Sequence, residues 1–245
     1  MTKIVSGHQP AYLPWLGYFH KIYVSDVFIY MDTVRYSRGW INKNKIKDKQ
    51  NEILLSVPIF KEDREKNINE IKIKNSDTKQ NWHINHLNSI FYAYKNSKNF
   101  DEIFPEIDKI FKLGHNLLNE LCWDLIDFFL RYLQIDTKII KMSEKKFAGK
   151  KSDLILNHAL DTDSKIVFLG ENGKDYIIEE NFLNKKILPV YQNYKCNIYD
   201  QVSQKFTEKC SILDLLMNEG KNAKKILTKN NIDKEELIKI YKSKF

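Results

Sequence analysis

Apolar and polar positions along the chain follow two periods, and the periods change in an ordered way. Residues 3–7 (Lys3-Ile4-Val5-Ser6-Gly7) form a short apolar run that predicts a strand. Residues 13–25 then place Leu13, Leu16, Phe19, Ile22 and Tyr23 at helical spacing. Asp26 introduces the continuous run Val27-Phe28-Ile29-Tyr30-Met31, which suits a strand covered on both faces in a parallel sheet. Strand, helix and strand in this order make a βαβ unit with a right-handed crossover.

The alternation continues. Residues 52–60 predict a third strand closed by Pro58, and 68–73 alternate as a fourth. Helical patterns occupy 81–95, 100–110 and 116–133. A strand-like run at 137–140 precedes a helix at 152–160, with Ser152 as N-cap and Asp153 in its first turn. The apolar strand 165–170 ends in Gly170, and amphipathic helices follow at 211–218, stopped by Gly220, and at 234–241. The fold class is therefore α/β: a mostly parallel open sheet, Rossmann-like, in one domain over 1–245 with a helical insertion at about 81–133.

Composition narrows the picture. With 42% hydrophobic and 29% charged residues, the chain has the balance of a soluble globular protein. No segment approaches the length of a membrane span, and the first residues enter a strand without a basic leader, so a cytoplasmic protein is expected. The formal charge is +8, but only four basic residues are Arg (Arg35, Arg38, Arg64, Arg131) and the lysines are interleaved with acids, which argues against nucleic acid as partner. The local basic excess at 35–49 reads either as solvated surface or as a site for a phosphate-bearing small molecule. Cys122, Cys196 and Cys210 have no paired spacing, and no histidine–carboxylate set has metal-ligand spacing; neither disulfide framework nor metal is expected.

The candidate chemistry sits after the first strand, in Gly7-His8-Gln9-Pro10-Ala11-Tyr12-Leu13-Pro14-Trp15-Leu16-Gly17-Tyr18-Phe19. In open α/β sheets ligands bind beyond the carboxyl ends of the strands, where strand order reverses. A helix N-terminus there offers N–H groups to an anion. His8 is the general-base candidate, because its unperturbed pKa lies near neutrality. Gln9 is placed to orient it, and Tyr12, Trp15 and Tyr18 to bind or donate hydrogen bonds. The bland alternative is that these aromatics are core residues and His8 a buried structural imidazole. Asp32 ends the next strand, at the same edge. Tyr36 and Trp40 could stack on a base or sugar, and Asn42, Lys43 and Asn44 could hold a diphosphate or form a polar surface turn. Ser143 and Glu144 follow the strand at 137–140, and Gly170, Lys174, Asp175 and Tyr176 follow the next. Gln192, Tyr199 and Gln201 are weaker candidates.

Two stretches carry a resemblance: GHQPAYLPWLGYFHKI at 7–22 and SDVFIYMDTVRYSRGWINKNKI at 25–46 resemble the start of the WbqC-like family. Trp82, His86, Tyr94 and Lys95 resemble its middle region. TKIIKMSE, FLGENGKDYI, LPVYQNY and SILDLLMNEG resemble its second half. The family usually has Asn-Arg-Asn where this chain has Asn42-Lys43-Asn44, which keeps the charge and loses the bidentate fork. More distantly, the order of elements looks like the adenylyl-transferring superfamily that includes pantothenate synthetase, although Trp15-Leu16-Gly17-Tyr18 lacks the two imidazoles of its His-x-Gly-His motif, so ATP chemistry there would need His8 or Lys21 as a substitute.

The family resemblance implies bacterial surface-polysaccharide (O-antigen, lipopolysaccharide) biosynthesis and transfer of glycine or another acyl group onto an amino sugar, as a nucleotide sugar. On that reading His8 is base, Asp32 and Tyr18 complete the catalytic group, and Lys43 and Lys174 steady phosphate. An activated acyl donor or ATP would be the co-substrate. The competing expectation is a non-catalytic nucleotide- or sugar-binding protein that assists polysaccharide assembly. Oligomeric state is not legible.

Overall fold

The computed structural model describes residues 2–75, 81–203 and 205–245. Strand β1 (Ile4–His8) leads through α1 (Leu16–Tyr23) to β2 (Val27–Tyr30). A hairpin, β3 (Lys43–Lys47) and β4 (Glu52–Ser56), and three helices, α2 (Trp82–Tyr94), α3 (Phe100–Lys112) and α4 (Leu118–Leu133), precede β5 (Lys138–Lys141). Then come α5 (Ser152–Asp161), β6 (Ile166–Leu169), α6 (Glu179–Leu183) and β7 (Leu188–Tyr191). Helices α7 (Ile212–Glu219), α8 (Ala223–Thr228) and α9 (Lys234–Lys244) close the chain.

Five strands form one sheet in the order β5-β2-β1-β6-β7, and every pairing is parallel. The chain builds outward from β1 through β2 to β5, then returns to place β6 on the other flank of β1. The strand order therefore reverses between β1 and β6. The α/β parallel fold expected from the alternating pattern is what the chain adopts.

Parallel strands need cover on both faces. Phe28 and Tyr30 face α1 and α4, where Phe19 meets Phe129 edge-on at 5.8 Å. Val5, Val27, Ile29, Val167 and Leu169 face the other way, onto Ile155 and Ala159 of α5 and Phe182 of α6. A third cluster joins Ile4, Ile166 and Phe168 to Leu237 of α9. Among the described residues no helix is long and apolar enough to cross a membrane.

Four stretches depart from the periodicity. Residues 52–60 do not enter the parallel sheet; β4 pairs antiparallel with β3 in a separate ribbon. The stretch Lys43-Asn44-Lys45-Ile46-Lys47 reads as a charged surface, but its alternation turns Asn44 and Ile46 inward and closes the hairpin. Asp48 Oδ1 accepts from the amides of Gln50 and Asn51 to form the turn. Residues 68–73 hold a short 3-10 turn capped by Asn67 and Glu70, followed by single bridges of Lys72 to Leu117 and Ile73 to Ile59. Finally β7 contains Pro189, which hides it from pattern reading; an edge strand tolerates a proline.

One buried node ties the insertion to the C-terminal segment. Asp214, fully buried at the start of α7, accepts from Tyr94 Oη (2.7 Å), Tyr199 Oη (2.7 Å) and Gln201 Nε2 (2.8 Å). Burial raises its pKa, and the three donors and Lys47 oppose that rise.

Asp214→Ala strands two buried phenols and should cost on the order of 3 kcal/mol in urea unfolding; a change below about 0.5 kcal/mol would contradict the node. Burial also depresses His8 to about 3 and His20, His86 and His158 to about 4. Between their unfolded value of 6.5 and these values the unfolded chain binds more protons, so stability falls as pH drops through that window. His158→Leu removes one such site and should flatten the fall by up to about 1.4 kcal/mol per pH unit. An unchanged slope would mean that His158 protonates freely in the fold.

Candidate active site at the carboxyl edge of the sheet

The loop after β1 is fixed before α1 begins. Pro10 and Pro14 limit its backbone, and the amide of Tyr12 donates to Ile41 O at 2.8 Å. Leu13 adopts the left-handed region, φ 47°, unusual for a non-glycine residue. Its carbonyl accepts from Asn44 Nδ2 at 2.5 Å, and Pro14 O accepts from Ile212 N at 2.8 Å. The hairpin and α7 thus hold the loop from both sides, and the strain at Leu13 is the cost of aiming α1.

Strand order reverses at this same place. His8 O accepts from Met31 N at 2.9 Å, so the neighbouring carbonyl of Gly7 points the opposite way, toward β6. There it receives no strand amide. Lys21, from α1, donates to it from Nζ at 2.8 Å. A Cβ placed on Gly170, the residue after β6, would lie 3.9 Å from the same Nζ. Lys21 is 3% exposed, and burial pushes its ammonium down to about 7.

Beside this crevice lies His8, half-buried and in register with Tyr30 of β2. Its Nδ1 is 2.9 Å from Gln9 O. A carbonyl only accepts, so Nδ1 carries the proton and Nε2 keeps its lone pair. The Gln9 backbone therefore orients the imidazole, a task the sequence assigned to the Gln9 side chain. Burial first, and the Lys21 charge second, push His8 down to about 3, while the bond to Gln9 O works against them. The ring meets Tyr18 at 4.8 Å. Tyr18 is 1% exposed, and its hydroxyl has no hydrogen-bond partner among the described residues. Burial raises its pKa, so it stays a neutral donor.

Further along the edge, Asp32 is fully buried after β2. Oδ1 accepts from Ser143 N at 2.9 Å and Oδ2 from Ser143 Oγ at 2.5 Å, which staples the ends of β2 and β5. Lys141 stands 3.8 Å over the Trp123 ring, which in turn meets Tyr30 at 5.2 Å.

The other sequence candidates have partners other than His8. Tyr12 is fully buried, with its hydroxyl 2.8 Å from His86 Nδ1. Tyr36 Oη donates to Asn42 Oδ1 at 3.0 Å, and Asn42 Nδ2 to Val57 O at 2.8 Å. These bonds knit the hairpin and, with Asn44, occupy amide groups that the sequence offered to a diphosphate. Lys43 lies over the exposed Trp40 ring at 5.8 Å. Trp15 folds onto Gly17, whose added Cβ would strike its ring at 2.2 Å, and meets Tyr194 at 5.6 Å. Lys174 lies over Tyr191 of β7 at 5.7 Å, and Tyr176 is exposed in the same loop. Gln192 holds α1 instead, donating from Nε2 to Gly17 O at 2.9 Å and contacting His20 Nδ1 at 3.0 Å.

Lys21, offered by the sequence only as a substitute for a missing imidazole, is more deeply placed than that role implies. It is a lysine inside a helix whose residues Leu16 to Ile22 are all buried, and that conflict between residue type and position is its signal. Two open grooves lie away from this edge. One, about 500 Å³, runs between the hairpin and α2 at Asp48, Ile53, Asn85 and Tyr92. The other, about 620 Å³, lies at the amino edge around Lys3, Asp26, Thr162 and Lys234. Neither gathers a base and an unpaired donor, as the His8 edge does. Among the described residues no group of three His, Cys, Asp or Glu could hold a metal ion.

The fold and this edge define an α/β protein with an imidazole and a buried lysine where strand order reverses. Residues 9–226 match the WbqC-like protein family, and the chain belongs to that family. It is 29% identical over 225 residues to the uncharacterized protein Rv1507c of Mycobacterium tuberculosis, covering 90% of this chain and 96% of that protein. No solved structure matches, so the expected kinship with pantothenate synthetase gains no support.

Because the Tyr18 hydroxyl is buried without a partner, Tyr18→Phe should leave stability unchanged or raise it by up to about 2 kcal/mol. Urea unfolding tests this; a loss above about 1 kcal/mol would mean that the hydroxyl is satisfied in the fold.

Proposed function

We propose that the chain is an acyl- or aminoacyltransferase that forms an amide on the amine of an amino sugar, carried as a nucleotide sugar, in bacterial surface-polysaccharide biosynthesis. Membership of the WbqC-like family supports the polysaccharide context. The observation that carries the chemistry is the pairing of a free imidazole lone pair on His8 with the unpartnered, neutral hydroxyl of the adjacent Tyr18.

Amide formation needs both groups. The amine nitrogen attacks the acyl carbonyl carbon, forming a C–N bond and placing negative charge on the carbonyl oxygen. Tyr18 donates to that oxygen as the charge grows. The nitrogen loses its proton to His8 Nε2, the bond from the acyl carbon to the donor's leaving group breaks, and His8 returns the proton to that group. The Asp32–Ser143 staple holds the strand ends that frame the acceptor sugar. The low pKa of His8, about 3, keeps its lone pair free at neutral pH but makes it a weak base. That weakness is the observation favouring the second reading, a sugar-nucleotide-binding module without turnover.

Incubation with amino-sugar nucleotides and activated acyl donors, followed by mass spectrometry, tests the proposal. Wild type should yield the N-acylated sugar nucleotide, and His8→Ala and Tyr18→Phe should each slow it by about 100-fold or more. Ligand-induced melting shifts with no product from any donor would leave the binding module.

A further inference from the structure

Lys21 presents an electrostatic problem. Its ammonium group is carried into the interior at the point where β1 and β6 part. Among the described residues its one hydrogen-bond acceptor is Gly7 O, and no carboxylate pairs with it. A buried ammonium with one neutral acceptor is costly unless it sheds its proton or something negative reaches it. His8, the titratable group that faces it, is neutral at pH 7 and offers no charge.

Space beside the amine is the second observation. Gly170 has φ −71°, a conformation open to any residue, so no backbone constraint explains its lack of a side chain. Apart from its chain neighbours, a Cβ added there would meet one atom within 4 Å, Lys21 Nζ at 3.9 Å. Gly7 and Gly170 are both partly open to solvent. Gly170 thus leaves space beside the ammonium group, whereas the equivalent position at Gly7 is filled by Ile29 O at 3.2 Å and Met31 Sδ at 3.3 Å.

We propose that this opening is a phosphoryl-oxyanion site, in which Lys21 Nζ binds a phosphate of the ligand between Gly7 and Gly170. Gly170 on the rim admits a bulky tetrahedral group close to the backbone, as at other strand-order reversals. The assignment deepens the transferase reading: the diphosphate of a nucleotide sugar would rest on Lys21 and set the sugar beside His8. An anion there also offsets the Lys21 charge that lowers the basicity of His8, so substrate binding strengthens the base.

The test uses the full chain and sodium pyrophosphate as probe, with uridine diphosphate as a second arm to separate free from nucleotide-linked phosphate. Both should bind by calorimetry and raise the melting temperature of wild type. Lys21→Met should weaken pyrophosphate about tenfold or more, and Lys242→Met, at an exposed site on α9, should not. Gly170→Asp should raise the melting temperature and abolish binding, because its carboxylate takes the place of the anion. Should Lys21→Met not fold, lysine ε-carbon NMR on wild type decides: saturating pyrophosphate should raise the midpoint of the lysine that titrates near neutrality. Overturning results are no pyrophosphate binding by wild type, equal binding by a folded Lys21→Met, or an unmoved midpoint. Pyrophosphate binding without acyl transfer would keep this site and remove the transferase; transfer with Lys21-independent binding would do the reverse.

Discussion

A buried backbone carbonyl must find a donor. Where strand order reverses, Gly7 O turns away from β2 and receives its hydrogen from Lys21 Nζ, not from a strand amide of β6. This bond fills the wedge between the two halves of the sheet with a cation. It also ties α1 to β1, beside the His8 ring that Gln9 O orients. The charge then depresses His8, which lies beside it. The Lys21 charge thus links the floor of the site to its base, adding to the burial that lowers His8 first.

The loop that carries His8 is built by elements far from it in sequence. Asn44 holds the left-handed Leu13, Ile41 holds Tyr12, Ile212 holds Pro14 and Gln192 holds the first turn of α1. These residues bring the hairpin, α7 and the edge strand onto one short segment. Several side chains that look like ligand-binding groups are spent on this task, because a strained loop of mixed polar and aromatic residues needs its amides and carbonyls answered. The long likeness to the WbqC-like family in and around this loop then has a structural as well as a chemical reading.

Much of this was legible in the residues. The runs at β2 and β6 are short and fully apolar, as strands covered on both faces must be, and with the Ile4-Val5 start of β1 they marked the class of fold. His8 fell at a carboxyl strand end because β1 ends where Pro10 forbids a ladder hydrogen bond. Pattern alone did not reveal that 52–60 leaves the main sheet, since an alternating strand looks the same in a hairpin as at a sheet edge. Pro189 concealed β7 for the opposite reason. Tyr12, Asn42 and Asn44 could not be told from ligand-binding groups, because their partners His86, Val57 and Leu13 are decided by tertiary packing. Lys21 was legible only as a substitute for a missing imidazole, because its bond to Gly7 O is decided by tertiary packing.

The most direct measurement is a crystal structure of the protein with an amino-sugar nucleotide bound. The account predicts the diphosphate between Gly7 and Gly170 over Lys21, with the sugar amine facing His8 Nε2 and the Tyr18 hydroxyl. Density for the ligand in the amino-edge groove at Lys3 and Asp26, with the His8 crevice closed, would contradict it.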